Sequence, residues 1–120
     1  MVDESSLGQD DGSFLDLWRI GDHDPPTLED FHSHREKGIP LRRVTPEALR
    51  LWVGVSVYRT REQAIALASA LPHLGRYIVC IRIPTDGSIV YELDNRKNGH
   101  STVWAEPETL LRLVVSVERL

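Results

Sequence analysis

Between Arg76 and Ile83 the chain reads Arg-Tyr-Ile-Val-Cys-Ile-Arg-Ile, an almost unbroken apolar run rich in β-branched side chains. A run without polar alternation suits a strand covered on both faces, so this segment is expected to be the central strand of a sheet. Thr85-Asp86-Gly87-Ser88 then supplies a turn into Ile89-Val90-Tyr91. With 120 residues there is room for one hydrophobic core around that strand and not comfortably for two. The expected organisation is a flexible leader over residues 1–13, rich in Asp, Glu, Ser and Gly, followed by a single domain over residues 14–120.

The remaining elements are read from periodicity and turn chemistry. Phe14 to Ile20 is a β-favouring stretch with Phe14, Asp16, Trp18 and Ile20 on one face and Leu15, Leu17 and Arg19 on the other, which puts Arg19 near a strand end just before Gly21. After Asp24-Pro25-Pro26, Thr27 stands as an N-cap with Asp30 as its capping-box partner. A helix is therefore expected over residues 27–37, ended by Gly38 and Pro40. Thr45-Pro46-Glu47 opens a second, short helix ending near Trp52. Val53 to Tyr58 reads as a strand. Thr60 caps the clearest helix, with Gln63 reciprocating and Ala64, Ile65, Leu67, Ala68 and Leu71 forming its apolar stripe up to Pro72. Asp94 to Gly99 reads as a polar, mobile loop, His100 to Trp104 as a strand, Pro107 as the start of at most one helical turn, and Leu111 to Val117 as the last strand. The order predicts an α+β fold, with segregated helices on an antiparallel or mixed sheet.

Composition excludes several classes. No apolar run approaches the roughly 18 residues that span a bilayer, and the first residues lack a basic-then-apolar signal layout, so a cytoplasmic protein without a membrane partner is expected. The one cysteine, Cys80, lies inside the apolar run and reads as a small buried hydrophobe. A formal net charge of −4 argues against generic nucleic-acid binding. The charge is uneven, however: four acids fall within the first eleven residues, while Arg35, Lys37, Arg42, Arg43 and Arg50 gather in the next third. A local basic face for a phosphorylated ligand remains open beside the plainer reading of a solvated surface.

No phosphate-binding Gly-rich loop, dinucleotide fingerprint, nucleophile elbow or paired cysteines occur in the sequence. His32 and His34 would point about 200° apart on a helix, so they are not expected to hold a metal. His100, beside Gly99, Ser101 and Thr102, sits at a loop-to-strand junction suited either to ligand contact or to local hydrogen bonding.

Three further places stand in a telling order: Trp18-Arg19-Ile20-Gly21 at the first strand's end, Gly54-Val55-Ser56-Val57-Tyr58 running into the capped helix, and Glu106-Pro107-Glu108 before the last strand. Singly, each has a structural account as an ion-pair partner, a sheet-edge hydroxyl or acids at a helix start. Together they resemble the Arg-Ser-Glu class of ADP-ribosyltransferases, whose split sheet holds NAD in its cleft. The resemblance implies a small bacterial toxin or modifying factor in which Arg19, Ser56, Tyr58 and His100 bind NAD, Glu108 with Glu106 supplies the catalytic carboxylate, and no metal is needed. The serine element departs from the family's Ser-Thr-Ser form, and Pro107 is an unusual centre for the glutamate turn. Two other readings stand beside this one. The RNA 2′-phosphotransferase type uses arginines and a histidine on a related scaffold; a non-catalytic module for a protein partner would use Trp18, Trp52 and Trp104, residue types enriched at interfaces.

Overall fold

The computed structural model describes residues 13–94 and 99–120. The leader, apart from Ser13, and most of the expected loop before Gly99 lie outside the described residues. The strands are β1 (Phe14–Gly21), β2 (Val55–Tyr58), β3 (Tyr77–Pro84), β4 (Val90–Glu92), β5 (His100–Trp104) and β6 (Val114–Arg119). The helices are α1 (Pro46–Trp52), α2 (Arg61–Ala70) and α3 (Pro107–Arg112), with short 3-10 turns at Leu28–Phe31 and Pro72–Leu74. The fold is α+β.

The six strands form one sheet in the order β4-β5-β2-β1-β3-β6, and every pairing is antiparallel. β1 and β3 pair along their whole length, from Phe14 opposite Pro84 to Gly21 opposite Tyr77. β2 pairs with β5 from Val55 opposite Val103 to Tyr58 opposite His100. Between β1 and β2, by contrast, the register holds only Trp18 opposite Tyr58. The sheet is therefore split there into a β4-β5-β2 half and a β1-β3-β6 half.

Alternation decides which side chains fill which face. Leu17, Val55, Val57, Val79, Ile81, Ile83 and Val103 gather with Phe31 and Leu110 in one cluster, so the Leu28–Phe31 turn and α3 cover that face. Ile20, Tyr58 and Ile78 gather with Ala64 and Ala68 of α2 in a second cluster on the other side, with Trp18 packed against it. β3 contributes to both clusters, which is why its sequence lacks polar alternation. Cys80 is buried on it, and burial pushes its thiol above the usual range.

α2 starts as the sequence indicates. Gln63 N–H donates to Thr60 Oγ1 at 3.1 Å, and Thr60 N–H donates to Gln63 Oε1 at 3.1 Å, closing a reciprocal capping box. Thr60→Ala removes one half of it and should lower stability by about 1 kcal/mol, read as a drop in the urea midpoint with an unchanged slope.

Two expectations are corrected. The segment 27–37 is not a helix: it makes the short turn Leu28–Phe31, passes through an extended His32, and turns again around Ser33 and Glu36. The reason is a competing donor, because Asp30 and His32 turn their carbonyls to the Arg19 side chain instead of into a helical ladder. α3 also outlasts the single expected turn: Leu111 and Arg112 are helical and the last strand begins at Val114. Fully buried Leu110 anchors the helix in the core shared with Phe31. Among the described residues no helix is long and apolar enough to cross a membrane.

Candidate functional site

At the split, the chain supplies a side chain in place of the missing ladder. Arg19 is only 8% exposed, and its guanidinium donates to three backbone carbonyls: Nε to Asp30 at 2.7 Å, one terminal nitrogen to Ser56 at 2.7 Å and the other to His32 at 3.3 Å. The bond to Ser56 crosses from β1 to β2, so the arginine ties the two half-sheets together. A guanidinium has five N–H donors, and the three bonds draw on all three of its nitrogens. Burial lowers its proton affinity, while Tyr58, Asp30 and Asp22 act in the opposite direction; it remains charged.

The Asp30 carboxylate is not what neutralises Arg19. It accepts from Asp22 N–H at 2.8 Å and Thr27 N–H at 2.9 Å, and lies 3.1 Å from His23 Nδ1. Among the described residues no carboxylate oxygen stands within ion-pair distance of Arg19.

Beside Arg19 opens a cleft with two lobes that share His34, Ser56 and His100. The narrow lobe, about 210 Å³, is completed by Arg19, Ile20, Lys37, Tyr58 and Leu74. The wide lobe, about 470 Å³, is walled by Ile39, Pro40, Leu41, Leu51 and Trp52 and rimmed by Arg42 and Arg43. Among the described residues no acid lines either lobe, whereas an adjoining opening that shares Arg19, Ile20, Lys37 and Leu74 with the narrow lobe is lined by Asp22, Glu29, Asp30 and Glu36. Partial desolvation lowers the Lys37 ammonium from its ordinary value and Arg19 lowers it further, against the pull of Asp22 and Asp30. His34 is likewise held below its usual range by desolvation, then by Lys37 and Arg19. Arg19 thus adds to the desolvation that lowers Lys37, and both add to that of His34, so an anion bound among them would offset part of that cost.

Of the three tryptophans, Trp52 lines the wide lobe and Trp104 a separate groove. Trp52 Nε1 donates to the Ile39 carbonyl at 2.7 Å, which fixes the 39–43 segment to α1. Trp104 Nε1 donates to the Arg50 carbonyl at 2.9 Å, and the Arg50 guanidinium lies over its ring, 5.1 Å from the centroid. Trp18 packs on the α2 side of the sheet. The indole N–H groups of Trp52 and Trp104 are thus satisfied within the chain.

Of the residues singled out in sequence, Arg19, Ser56, Tyr58 and His100 come together. Ser56 Oγ lies 3.0 Å from His100 Nε2, and the Tyr58 and His100 rings meet edge to face with centroids 5.8 Å apart. Glu106 and Glu108 do not join them. Both are exposed at the start of α3, and Glu106 lines a separate groove with Ser33, Arg35, Glu36, Val53 and Trp104. α3 is held against the Phe31 cluster through Leu110, and this docking carries its first turn away from the cleft. Within the basic third, Lys37, Arg42 and Arg43 reach the cleft, Arg35 lines the separate groove, and Arg50 is engaged by Glu47 and Glu92. His34 and Lys37 join the cleft without a motif of their own; the basic composition of their segment is the one signal in the sequence that points toward them.

Compared with known proteins, the chain matches no family model, no curated protein and no solved structure.

Proposed function

We propose that the chain is an ADP-ribosyltransferase-like protein of the cytoplasm that binds NAD in this cleft. One observation carries the reading: where the antiparallel sheet splits, Arg19, Lys37 and His34 converge beside Ser56, Tyr58 and His100 in a lobe that no acid among the described residues lines. A dinucleotide matches that chemistry. Its pyrophosphate takes the cations that line the narrow lobe, Arg19 and Lys37. A flat heterocycle lies along Leu41, Leu51 and Trp52 in the wide lobe.

The test is the thermal shift of the full chain with NAD. Saturation at about 100 times the dissociation constant adds about 2.7 kcal/mol. Lys37→Ala, which removes a surface cation and no core contact, should weaken binding about tenfold, as expected for a lost charge-assisted hydrogen bond. Affinity should also rise as pH falls from about 7 to about 5, because the anion lifts the depressed His34 pKa and binding takes up a proton. A melting curve that ignores millimolar NAD sinks the reading.

A second reading, an RNA 2′-phosphotransferase-like enzyme, is favoured by the position of Glu106 and Glu108 outside a cleft that holds arginines and a histidine. It predicts a larger thermal shift with a 2′-phosphorylated oligoribonucleotide than with NAD.

A further inference from the structure

Ser56 and His100 carry a feature that nucleotide binding leaves unused. Their side chains line both lobes of the cleft, so the contact between Ser56 Oγ and His100 Nε2, 3.0 Å, lies where a ligand in either lobe would meet it. The strand register explains the pairing. Ser56 lies opposite Thr102 and Tyr58 opposite His100, so the imidazole reaches Ser56 diagonally across β2 and β5 on a shared sheet face. The Tyr58 ring, meeting the imidazole at an interplanar angle of 67°, limits its rotation. The Arg19 guanidinium, bonded to the carbonyl of Ser56 itself, puts positive charge next to the hydroxyl, and Lys37 and His34 line the same narrow lobe.

A hydroxyl within hydrogen-bond reach of an imidazole is the arrangement of an activated nucleophile, and the surrounding charge selects the electrophile. Acyl transfer calls for neutral donors around one oxyanion. Phosphoryl transfer calls for several cations around three equatorial oxygens, which is what the narrow lobe offers.

We infer that Ser56 is a nucleophile and His100 its general base in the cleavage of phosphomonoesters, an activity that goes beyond the binding of NAD. The Ser56 oxygen forms a bond to phosphorus as the bond from phosphorus to the ester oxygen breaks. The hydroxyl proton passes to His100 Nε2, the departing alkoxide takes a proton from water, and the imidazolium gives its proton to the hydroxide so formed, which returns His100 to its neutral form. In the second half, a water molecule gives its proton to the imidazole and attacks phosphorus, the bond to Ser56 breaks, and inorganic phosphate leaves with Ser56 protonated again. Arg19 and Lys37 hold the charge of the transferring group throughout.

The experiment is labelling of the full chain with a fluorophosphonate probe, which traps an activated serine by loss of fluoride. Intact mass and peptide mapping should find one adduct, on Ser56. His100→Gln, with its melting temperature checked alongside, should label about 100-fold more slowly, the scale of a lost general base. Inorganic phosphate should protect Ser56 by occupying the cationic lobe. An unlabelled wild-type chain, an adduct on any other residue, or unchanged labelling of a folded His100→Gln variant overturns the inference. Labelling of Ser56 that phosphate does not slow overturns the phosphomonoester class. The probe contains no nucleotide, so failure here is read separately from failure of NAD to bind.

Discussion

Arg19→Ala is expected to lower the unfolding free energy by about 3–5 kcal/mol, because three hydrogen bonds to a charged donor, about 1.5–3 kcal/mol each taken singly, are lost together and part of that loss is regained as water reaches the freed carbonyls. For a chain of this size the loss corresponds to a fall in melting temperature of about 12–20 °C. The carbonyls of Asp30, Ser56 and His32 lose a shared donor, and Ser56 loses its link across the sheet's split. Arg19→Lys should recover only a small part, since an ammonium is a point donor and cannot span three acceptors set around a planar fork. A calorimetric scan checks both variants. A melting temperature for Arg19→Ala within a few degrees of the parent would show that the split does not depend on this side chain.

Phe31→Ala should cost about as much, about 3–5 kcal/mol, as removal of a large fully buried aromatic does. Phe31 has no exposure and joins Leu17 of β1 and Leu110 of α3 in one cluster. It also stands between Asp30 and His32, the two residues whose carbonyls receive the arginine. Loss of the aromatic therefore loosens the acceptors as well as the core. The double variant Arg19→Ala, Phe31→Ala should be less destabilised than the sum of the singles by about 1 kcal/mol or more, measured by urea unfolding of each. Strict additivity would separate the arginine's role from the packing beneath it.

The parts of the fold that were legible in sequence are those set by local rules. The Thr60–Gln63 capping box fixes where α2 starts. The uninterrupted run around Val79 marks the strand that is covered twice. Residues 27–37 follow a different logic. Thr27 and Asp30 do make their expected contact, at 2.9 Å, yet the helix they announce is cut short by a guanidinium eight or more positions back along the chain. Propensity carries no information about that distant donor. The same limit governs the site. Ser56, Tyr58 and His100 share a sheet face because of register, and register is a tertiary result, although Arg19 at a strand end was visible as a candidate. The acidic pair Glu106 and Glu108 has the right order along the chain, but α3 docks through Leu110 and fixes its first turn elsewhere.

The three-carbonyl clasp of Arg19 also sets a dimension. Elsewhere in the sheet neighbouring strands are spaced by direct amide contacts, whereas past Trp18 and Tyr58 the gap between the half-sheets is bridged by one side chain. The width of the opening is thus gauged by the reach of an arginine. A shorter residue at position 19 would offer no spacer of that length, and the aperture through which a guest enters would be free to narrow.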